Sequence, residues 1–259
     1  MSDSVTAGAS EPSLGVTLRE LYRLLALTLR LCLKGGLERG AVLRQMYEIG
    51  NRSLGFLCVV MAFMGMILTY QAGLQTQRVV PDLSLLGATF LELLVRDLAA
   101  SICALMLATR VGAGIAAEIG SMVVTEQVDA LAMCGADPIK HLVCPRFLAC
   151  LGMFVMLVVL AACVAVATGT WTASAFFGLN PRTFLNLSLV NASDVIVGLA
   201  KCLAYGGAIP IISSHAGLTA FGGSEGVGSA TTRAVVGSSL AVIVLNFVIS
   251  GFGYVVFGA

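Results

Sequence analysis

Long uncharged stretches constrain this chain more than any other feature of its sequence. No Asp, Glu, Lys or Arg occurs between Arg52 and Arg78, and none follows Arg233 up to the C-terminus. A hydrophobic helix needs about 20 residues to cross a bilayer, and both stretches are long enough. Only 11% of the residues are charged, whereas soluble domains carry about 25%. The sequence therefore predicts an all-α integral membrane protein.

The apolar stretches predict about five transmembrane helices. They centre on residues 54–70, 83–117, 147–168, 195–217 and the segment after Arg233. Segment 1–53 is rich in Lys and Arg, while the loops on the other side of the membrane hold only Arg78 and Arg182. Because Lys and Arg collect in cytoplasmic loops, this distribution predicts a multi-pass protein with a cytoplasmic N-terminus.

The N-terminal residues precede the first span and divide into two parts. Residues 1–15 are polar and lack an apolar core, which predicts a disordered tail and no cleaved signal peptide. In segment 16–50, basic residues alternate with leucines spaced three and four apart: Leu18, Leu21, Leu25 and Leu29. That pattern predicts interfacial amphipathic helices with their basic residues toward anionic headgroups. A cytoplasmic helix packed on a partner is the alternative.

The region 118–146, between the second and third spans, predicts a structured cytoplasmic loop. Thr125 is placed to cap a short helix that ends at Gly135, and Asp137-Pro138 then predicts a turn before a second helical piece. The acidic residues Glu126 and Asp129 lie in its first turns, where they interact favourably with the helix dipole. The apolar residues of this helix favour a docking surface over a solvated connector, in which they would be exposed.

No motif for catalysis, metal binding or nucleotide binding is convincing. GAGIAA (112–117) lacks the strand context of a dinucleotide site, and GGSEGVG (222–228) lacks the Lys-Ser/Thr of a phosphate-binding loop. The eight cysteines form no C-x-x-C pair, and His141 and His215 form no metal-ligand spacing. A net charge of +1 gives no argument for nucleic acid. The chain is therefore expected to be no enzyme, and any nucleotide hydrolysis must come from another subunit.

Three charged residues, Glu92, Arg96 and Asp97, interrupt the second predicted span. Each charge near the bilayer centre costs roughly 2.5–3.5 kcal/mol on insertion scales. Glu92 and Arg96 are four residues apart and can pair on one helix face, while Asp97 can meet a partner on another helix, for which Lys201 is a candidate. Two interpretations are open: a buried cluster that fixes helix packing, or a polar patch in a substrate cavity. Ionisable groups within spans mark pathways, which favours the second.

Five segments resemble the MlaE/YrbE permease family, the membrane subunits of ABC transporters that work with MCE-domain proteins. The resemblance begins near residue 44 and rests on RQMYEIG (44–50), GMILTYQ (65–71), LLVRDL (93–98), RVGAGIAAEIGSMVVTEQVDALAMCGADPIKHLVCPR (110–146) and SEGVGSATTRAVVGSSLAV (224–242). It implies a permease domain at 51–259. It also implies a homodimer in the bacterial inner membrane, with cytoplasmic ATPase subunits below and a periplasmic ring of MCE-domain subunits above.

The family's activity is ATP-driven movement of phospholipids or related hydrophobic molecules between the inner and outer membranes. ATP and Mg²⁺ would be bound by the ATPase, so that this chain carries no cofactor of its own. The region that begins at Thr125 would then couple to the ATPase. Its expected coupling residues are Thr125, Glu126, Asp129, Ala130, Met133, Asp137 and Pro138.

By the same resemblance, Arg96 and Asp97 take the Arg-Glu position of the family's LLREL motif, which faces a lipid cavity at the dimer interface. Lys201 falls where the family has a lysine, and Asn246 replaces a common Asp. Helical spacing from the first span adds further wall residues. The expected cavity set is Met61, Met64, Leu68, Tyr70, Gln71, Glu92, Arg96, Asp97 and Lys201. The alternatives are a passive lipid channel or scramblase, or a membrane scaffold whose charges only fix packing.

Overall fold

The computed structural model of the chain describes residues 14–34, 39–79, 86–186 and 188–257, and every element in them is helical. Three short π-helical segments interrupt the α-helices. In chain order the elements are α1 (Leu14–Lys34), α2 (Arg39–Val79), α3 (Leu86–Leu93), π1 (Leu94–Leu98), α4 (Ala99–Leu107), π2 (Ala108–Gly112), α5 (Ala113–Val124), α6 (Gln127–Met133), π3 (Ile139–Val143), α7 (Cys144–Phe177), α8 (Pro181–Phe184), α9 (Ala192–Leu218) and α10 (Gly223–Phe257).

Within the described parts of the chain, four helical stretches are long and apolar enough to cross a membrane: Gly40–Gln77, Ile139–Phe177, Ala192–Leu218 and Gly223–Val256. They match the predicted first, third, fourth and fifth spans, and they confirm an all-α, multi-pass membrane protein. The predicted second span coincides with the continuous helical run from α3 to α5. Two π turns divide this run, and its longest α segment has 12 residues. The count of five spans stays a prediction.

The predicted division at residue 50 does not fall at a helix end. α2 passes through this position without a break, so the last part of segment 16–50 belongs to the same helix as the first span. The amphipathic α1 is a separate helix, and it buries Leu24 against Phe147 of α7 and Ile211 of α9. Glu20 of α1 also lies 3.1 Å from His215 Nε2 of α9. Of the predicted disordered tail, residues 1–13 lie outside the described residues.

α2 and α7 pack along each other because small residues bring their backbones close. A Cβ at Gly65 of α2 would lie 2.4 Å from the carbonyl oxygen of Ala165 in α7. In the other direction, a Cβ at Gly169 would lie 2.8 Å from Thr69 Oγ1. Small residues allow this approach in membranes, where helices associate through packing and not through a hydrophobic driving force. The face of α2 that carries Gly65 is therefore the face turned toward α7.

Gly65→Ala is expected to destabilise the folded chain by about 1–3 kcal/mol, because the added methyl group meets backbone atoms that cannot rotate away. The matched control is Gly55→Ala in the same helix, where a Cβ meets nothing within 4 Å and helix propensity favours Ala by up to about 1 kcal/mol. Thermal unfolding of both variants in detergent measures the difference. Equal destabilisation of the two variants would contradict the close approach of α2 and α7.

α9 is the most enclosed of the four candidate spans, and α10 is the most exposed. Half of the most apolar window of α9 is buried (50%), against 11% for that of α10. α9 packs against α5, α7 and α10 and also contacts π1. Its buried residues include the charged side chains of Asp194 and Lys201. The fold thus places a helix that carries charges at the centre of the bundle, next to the stretch that interrupts the second predicted span.

Candidate functional site: an intramembrane charge cluster

The charges of the second predicted span lie on a widened helical turn that packs against α9. In π1 the N–H of Ala99 bonds to the carbonyl oxygen of Leu94, five residues earlier. Such π turns occur frequently at functional sites. α9 approaches this turn at a glycine: a Cβ at Gly198 would lie 2.5 Å from the carbonyl oxygen of Val95. A larger residue at position 198 would push α9 away from the charges.

Asp97 forms an ion pair with Lys201 of α9, so the expected partner is confirmed. The side chain of Lys201 is fully buried, whereas that of Asp97 is 40% exposed. Ser101, one turn further along the run, donates a hydrogen bond to Asp97 Oδ1 at 3.3 Å. The carboxylate therefore neutralises a completely buried ammonium group and still presents part of its surface outside the bundle.

Arg96 lies against a second residue of α9, Asp194, which the sequence analysis did not identify. Arg96 Nη1 is 3.7 Å from Asp194 Oδ1, and Asp194 is almost completely buried. The other carboxylate oxygen of Asp194 accepts a hydrogen bond from the backbone N–H of Asn191 at 2.9 Å. Asn191 and Asp194 form the capping box that begins α9. The pattern Asn-x-x-Asp was visible in the sequence, although it indicates a helix start and not an ion pair.

The expected pair between Glu92 and Arg96 is not formed among the described residues. The side chain of Glu92 is half-buried one turn before π1, and Arg96 points to Asp194 instead. The physical reason is the π turn, because a four-residue spacing places two side chains face to face only on a regular α-helix. Glu92 is therefore an additional negative charge beside a cluster that is otherwise balanced.

The cluster consists of two ion pairs that join π1 to one face of α9. Asp194, Gly198 and Lys201 are spaced four and three residues apart on α9, which aligns them toward π1. Arg96 and Asp97 supply the opposite charges, so the four side chains are formally neutral together. Further along the same α9 face, Tyr205 donates to Asn246 Oδ1 of α10 at 3.1 Å. The arrangement can bind a dipolar group at its exposed end, and it offers no activated nucleophile.

The expected wall residues from the first span take different positions. Met64 and Leu68 are half-buried, and Tyr70 and Gln71 are exposed; the ring of Tyr70 packs edge-on against Phe176 with centroids 5.3 Å apart. Met61 is only 1% exposed and belongs to the core. It lies one turn before Gly65, on the face of α2 that packs against α7.

The predicted coupling helix is α6, but Thr125 does not cap it. The Thr125 hydroxyl donates to the carbonyl oxygen of Ser121 in the preceding helix at 2.8 Å. The residue that precedes α6 is Glu126, which adopts a left-handed conformation with φ of 59° and makes no side-chain cap. The break between α5 and α6 is therefore a backbone turn at Glu126.

The C-terminal end of α6 agrees with the prediction. Gly135 has φ of +78°, a conformation that suits glycine. The N–H groups of Gly135 and Ala136 bond to the carbonyl oxygens of Ala132 and Leu131, which is the Schellman arrangement. Asp137 Oδ1 then accepts from the N–H of Ile139 at 3.0 Å, and Pro138 leads into π3.

α6 buries none of its residues, and Met133 at its end is 83% exposed. Asp129 and Ala130, two of the expected coupling residues, are exposed as well. A short helix held by defined turns at both ends, with an exposed large apolar residue, is typical of a surface that a partner covers.

The sequence profile described as "Permease MlaE" matches residues 42–252. The chain belongs to the MlaE permease family. The matched region begins near the start of α2 and includes the charge cluster, α6 and nearly all of α10, which accounts for every part of the candidate site.

Relatives of this MlaE-family permease include named transporter subunits. It is 40% identical to a probable ABC transporter permease protein of Synechocystis sp., over 84% of this chain and 83% of the relative. A probable ABC transporter permease protein of Rickettsia typhi is 36% identical, with 84% and 85% covered. The Arabidopsis thaliana protein TRIGALACTOSYLDIACYLGLYCEROL 1, chloroplastic, is 32% identical, with 85% of this chain and 63% of the relative covered. The chain is thus the permease component of an ABC transporter.

Proposed function

We propose that this permease moves phospholipids or related amphiphilic molecules between the inner and outer membranes of a bacterium, driven by a cytoplasmic ATPase. The observation that carries the proposal is the neutral cluster of Arg96, Asp97, Asp194 and Lys201, buried on the α9 side and open on the side of Arg96 and Asp97. A relative whose name contains the galactolipid trigalactosyldiacylglycerol supports a lipid cargo.

The exposed end of the cluster suits a lipid headgroup. Arg96 and Asp97 keep 23% and 40% of their side chains accessible, while their partners on α9 are buried. A zwitterionic headgroup carries a phosphate and an ammonium group, which can meet the guanidinium and the carboxylate respectively. Met64 and Leu68 of α2 are the residues that we assign to the acyl chains. Lys201 is buried and does not contact the cargo itself. Its role is to hold Asp97 in position.

Assembly with other subunits follows from the surfaces that the chain leaves uncovered. α6 is the proposed contact with the ATPase, which binds ATP and Mg²⁺. The second copy of the chain is proposed to cover part of α10, whose exposed apolar residues include Leu240, Phe247 and Phe252. A periplasmic MCE-domain ring and a cytoplasmic N-terminus complete the arrangement, as the family membership and the Lys and Arg distribution suggest.

Reconstitution of the assembled transporter into vesicles tests this function. Transfer of a fluorescent phospholipid to acceptor vesicles is expected to require ATP and to stop with a non-hydrolysable analogue. Arg96→Gln is expected to reduce the transfer rate about tenfold, because it removes a charge-assisted hydrogen bond to the headgroup. Asp194 keeps its hydrogen bond from Asn191 in this variant but loses its cationic partner, so the transfer rate is compared per correctly assembled transporter.

Arg182→Gln is the matched control, since it removes an exposed arginine of α8 outside the cluster. Its transfer rate is expected to stay within twofold of the wild type. Transfer without ATP at the full rate would show a passive channel or scramblase. An unchanged transfer rate for Arg96→Gln, with normal assembly, would show that the charges of the cluster only fix helix packing in a scaffold.

A further inference from the structure

A groove of about 550 Å³ lies between α2 and the segment formed by π2 and α5, away from the charge cluster. Its lining includes Glu48, Ile49 and Arg52 from α2, and Arg110, Gly114 and Glu118 from the other side. Arg110 follows Asp97 by 13 residues along a continuous helical run, which corresponds to about 20 Å. The groove is thus a separate site.

Both acidic residues of the groove already have cationic partners. Arg44 Nε lies 3.4 Å from Glu48 Oε1, and Arg146 Nη2 lies 3.0 Å from Glu118 Oε1. Arg146 is almost completely buried, which holds its partner Glu118 in place. The negative charges of the groove are therefore neutralised within the chain.

The two arginines of the groove are in the opposite situation. Arg52 and Arg110 are exposed, and neither forms an ion pair or a side-chain hydrogen bond with any residue that the structure describes. Two arginines that line one groove can both donate to the oxygen atoms of a phosphate group, which arginine binds through paired N–H donors. The unsatisfied charge of the groove is positive.

The groove also has apolar lining residues, which form its apolar floor, and it lies where the uncharged stretch of α2 begins. Ile49, Val111 and Ile115 line it together with the polar residues. Arg52 is the last charged residue before the uncharged stretch of α2, and charged residues at such boundaries lie at the membrane interface. A Cβ at Gly114 would meet nothing within 4 Å, so the groove is open above this position.

We propose that this groove binds the headgroup of an anionic phospholipid, with the phosphate between Arg52 and Arg110 and the start of the acyl chains over Ile49 and Ile115. The site is a resident lipid site on the rim of the permease. It is independent of the cargo site at Arg96 and Asp97, so either one can fail without the other.

Native mass spectrometry of the purified full-length permease tests the site, with phosphatidylglycerol and phosphatidylcholine of identical acyl chains as probes. Arg52→Gln and Arg110→Gln are each expected to weaken phosphatidylglycerol binding about tenfold, the loss of one charge-assisted contact. Arg30→Gln removes an exposed arginine of α1 that does not line the groove, and its affinity for phosphatidylglycerol is expected to stay within twofold. Phosphatidylcholine is expected to bind more weakly than phosphatidylglycerol.

Three results would overturn the proposal. An equal loss of affinity in Arg30→Gln would show unspecific attraction by the basic N-terminal helices. Displacement of phosphatidylglycerol by millimolar inorganic phosphate would show a site for free phosphate that makes no use of the apolar floor. Conversion of a dimer to a monomer by Arg52→Gln, with lipid affinity unchanged, would place a second copy of the chain in the groove.

Discussion

Asp97→Asn is expected to destabilise the folded permease by about 3–5 kcal/mol, the usual effect of removing one partner of a buried ion pair. The substitution keeps the shape of the side chain but leaves the ammonium group of Lys201 without a counter-charge, and Lys201 is fully buried. Unfolding in detergent, followed by fluorescence or by the recovery of monodisperse protein, measures the loss.

Substitution of the other partner, Lys201, is expected to destabilise the permease less. Lys201→Met leaves the carboxylate of Asp97 without its partner, but this carboxylate is 40% exposed and keeps its hydrogen bond from Ser101. Water can therefore solvate it, which lowers the cost to about 1–2 kcal/mol. The double variant Asp97→Asn with Lys201→Met is expected to regain most of the stability, because it buries no unpaired charge.

Ser101→Ala is the control for the neighbourhood of the pair, and it is expected to cost about 1 kcal/mol or less. If Lys201→Met proved more damaging than Asp97→Asn, the asymmetry in burial between the two side chains would be wrong. A double variant that is as unstable as Asp97→Asn alone would show that this pair is not what decides stability at π1.

Met133→Glu is expected to weaken binding of the ATPase at least about 30-fold, since an exposed apolar residue at an interface centre contributes 2 kcal/mol or more. Met133 is 83% exposed at the end of α6, and this helix buries none of its own residues. The stability of the permease itself should therefore stay unchanged. Co-purification with the ATPase, together with ATP hydrolysis by the assembled transporter, measures the effect.

Thr125→Ala is the matched control for Met133→Glu. The hydroxyl of Thr125 bonds within the preceding helix, to Ser121, and does not support the N-terminus of α6. ATPase binding is expected to stay within twofold in this variant. Normal ATPase binding in Met133→Glu would contradict α6 as the docking site. A loss of binding in Thr125→Ala would show instead that the Thr125 hydroxyl supports α6.

Several local features of the site could be predicted because each depends on a short pattern. Gly135 ends α6 since a left-handed residue there satisfies the carbonyl groups of the last turn. The pairing of Asp97 with Lys201 was expected because a buried charge of each sign requires a partner, and few other charges lie within the spans.

The wrong prediction of an ion pair within the second span came from the assumption of a regular helix. Glu92 and Arg96 do not pair because π1 changes the turn between them. Met61 was assigned to a cavity by helical spacing, and the same spacing aligns it with Gly65 and α7, so that assignment stays a prediction. Spacing alone identifies which residues share a face but not which neighbour that face meets.

By itself the sequence determined the class of the protein. Uncharged apolar stretches of this length are typical of membrane spans, and in lipid their backbone hydrogen bonds are satisfied within helices. It also located the charges that need an explanation. Only the tertiary structure decided which groups come together: Asp194 pairs with Arg96, and Arg52 and Arg110 line the same groove. Both arrangements depend on how closely helices distant in the chain approach, at positions such as Gly65 and Gly198. No local pattern encodes that distance, because it results from the packing of two surfaces at once.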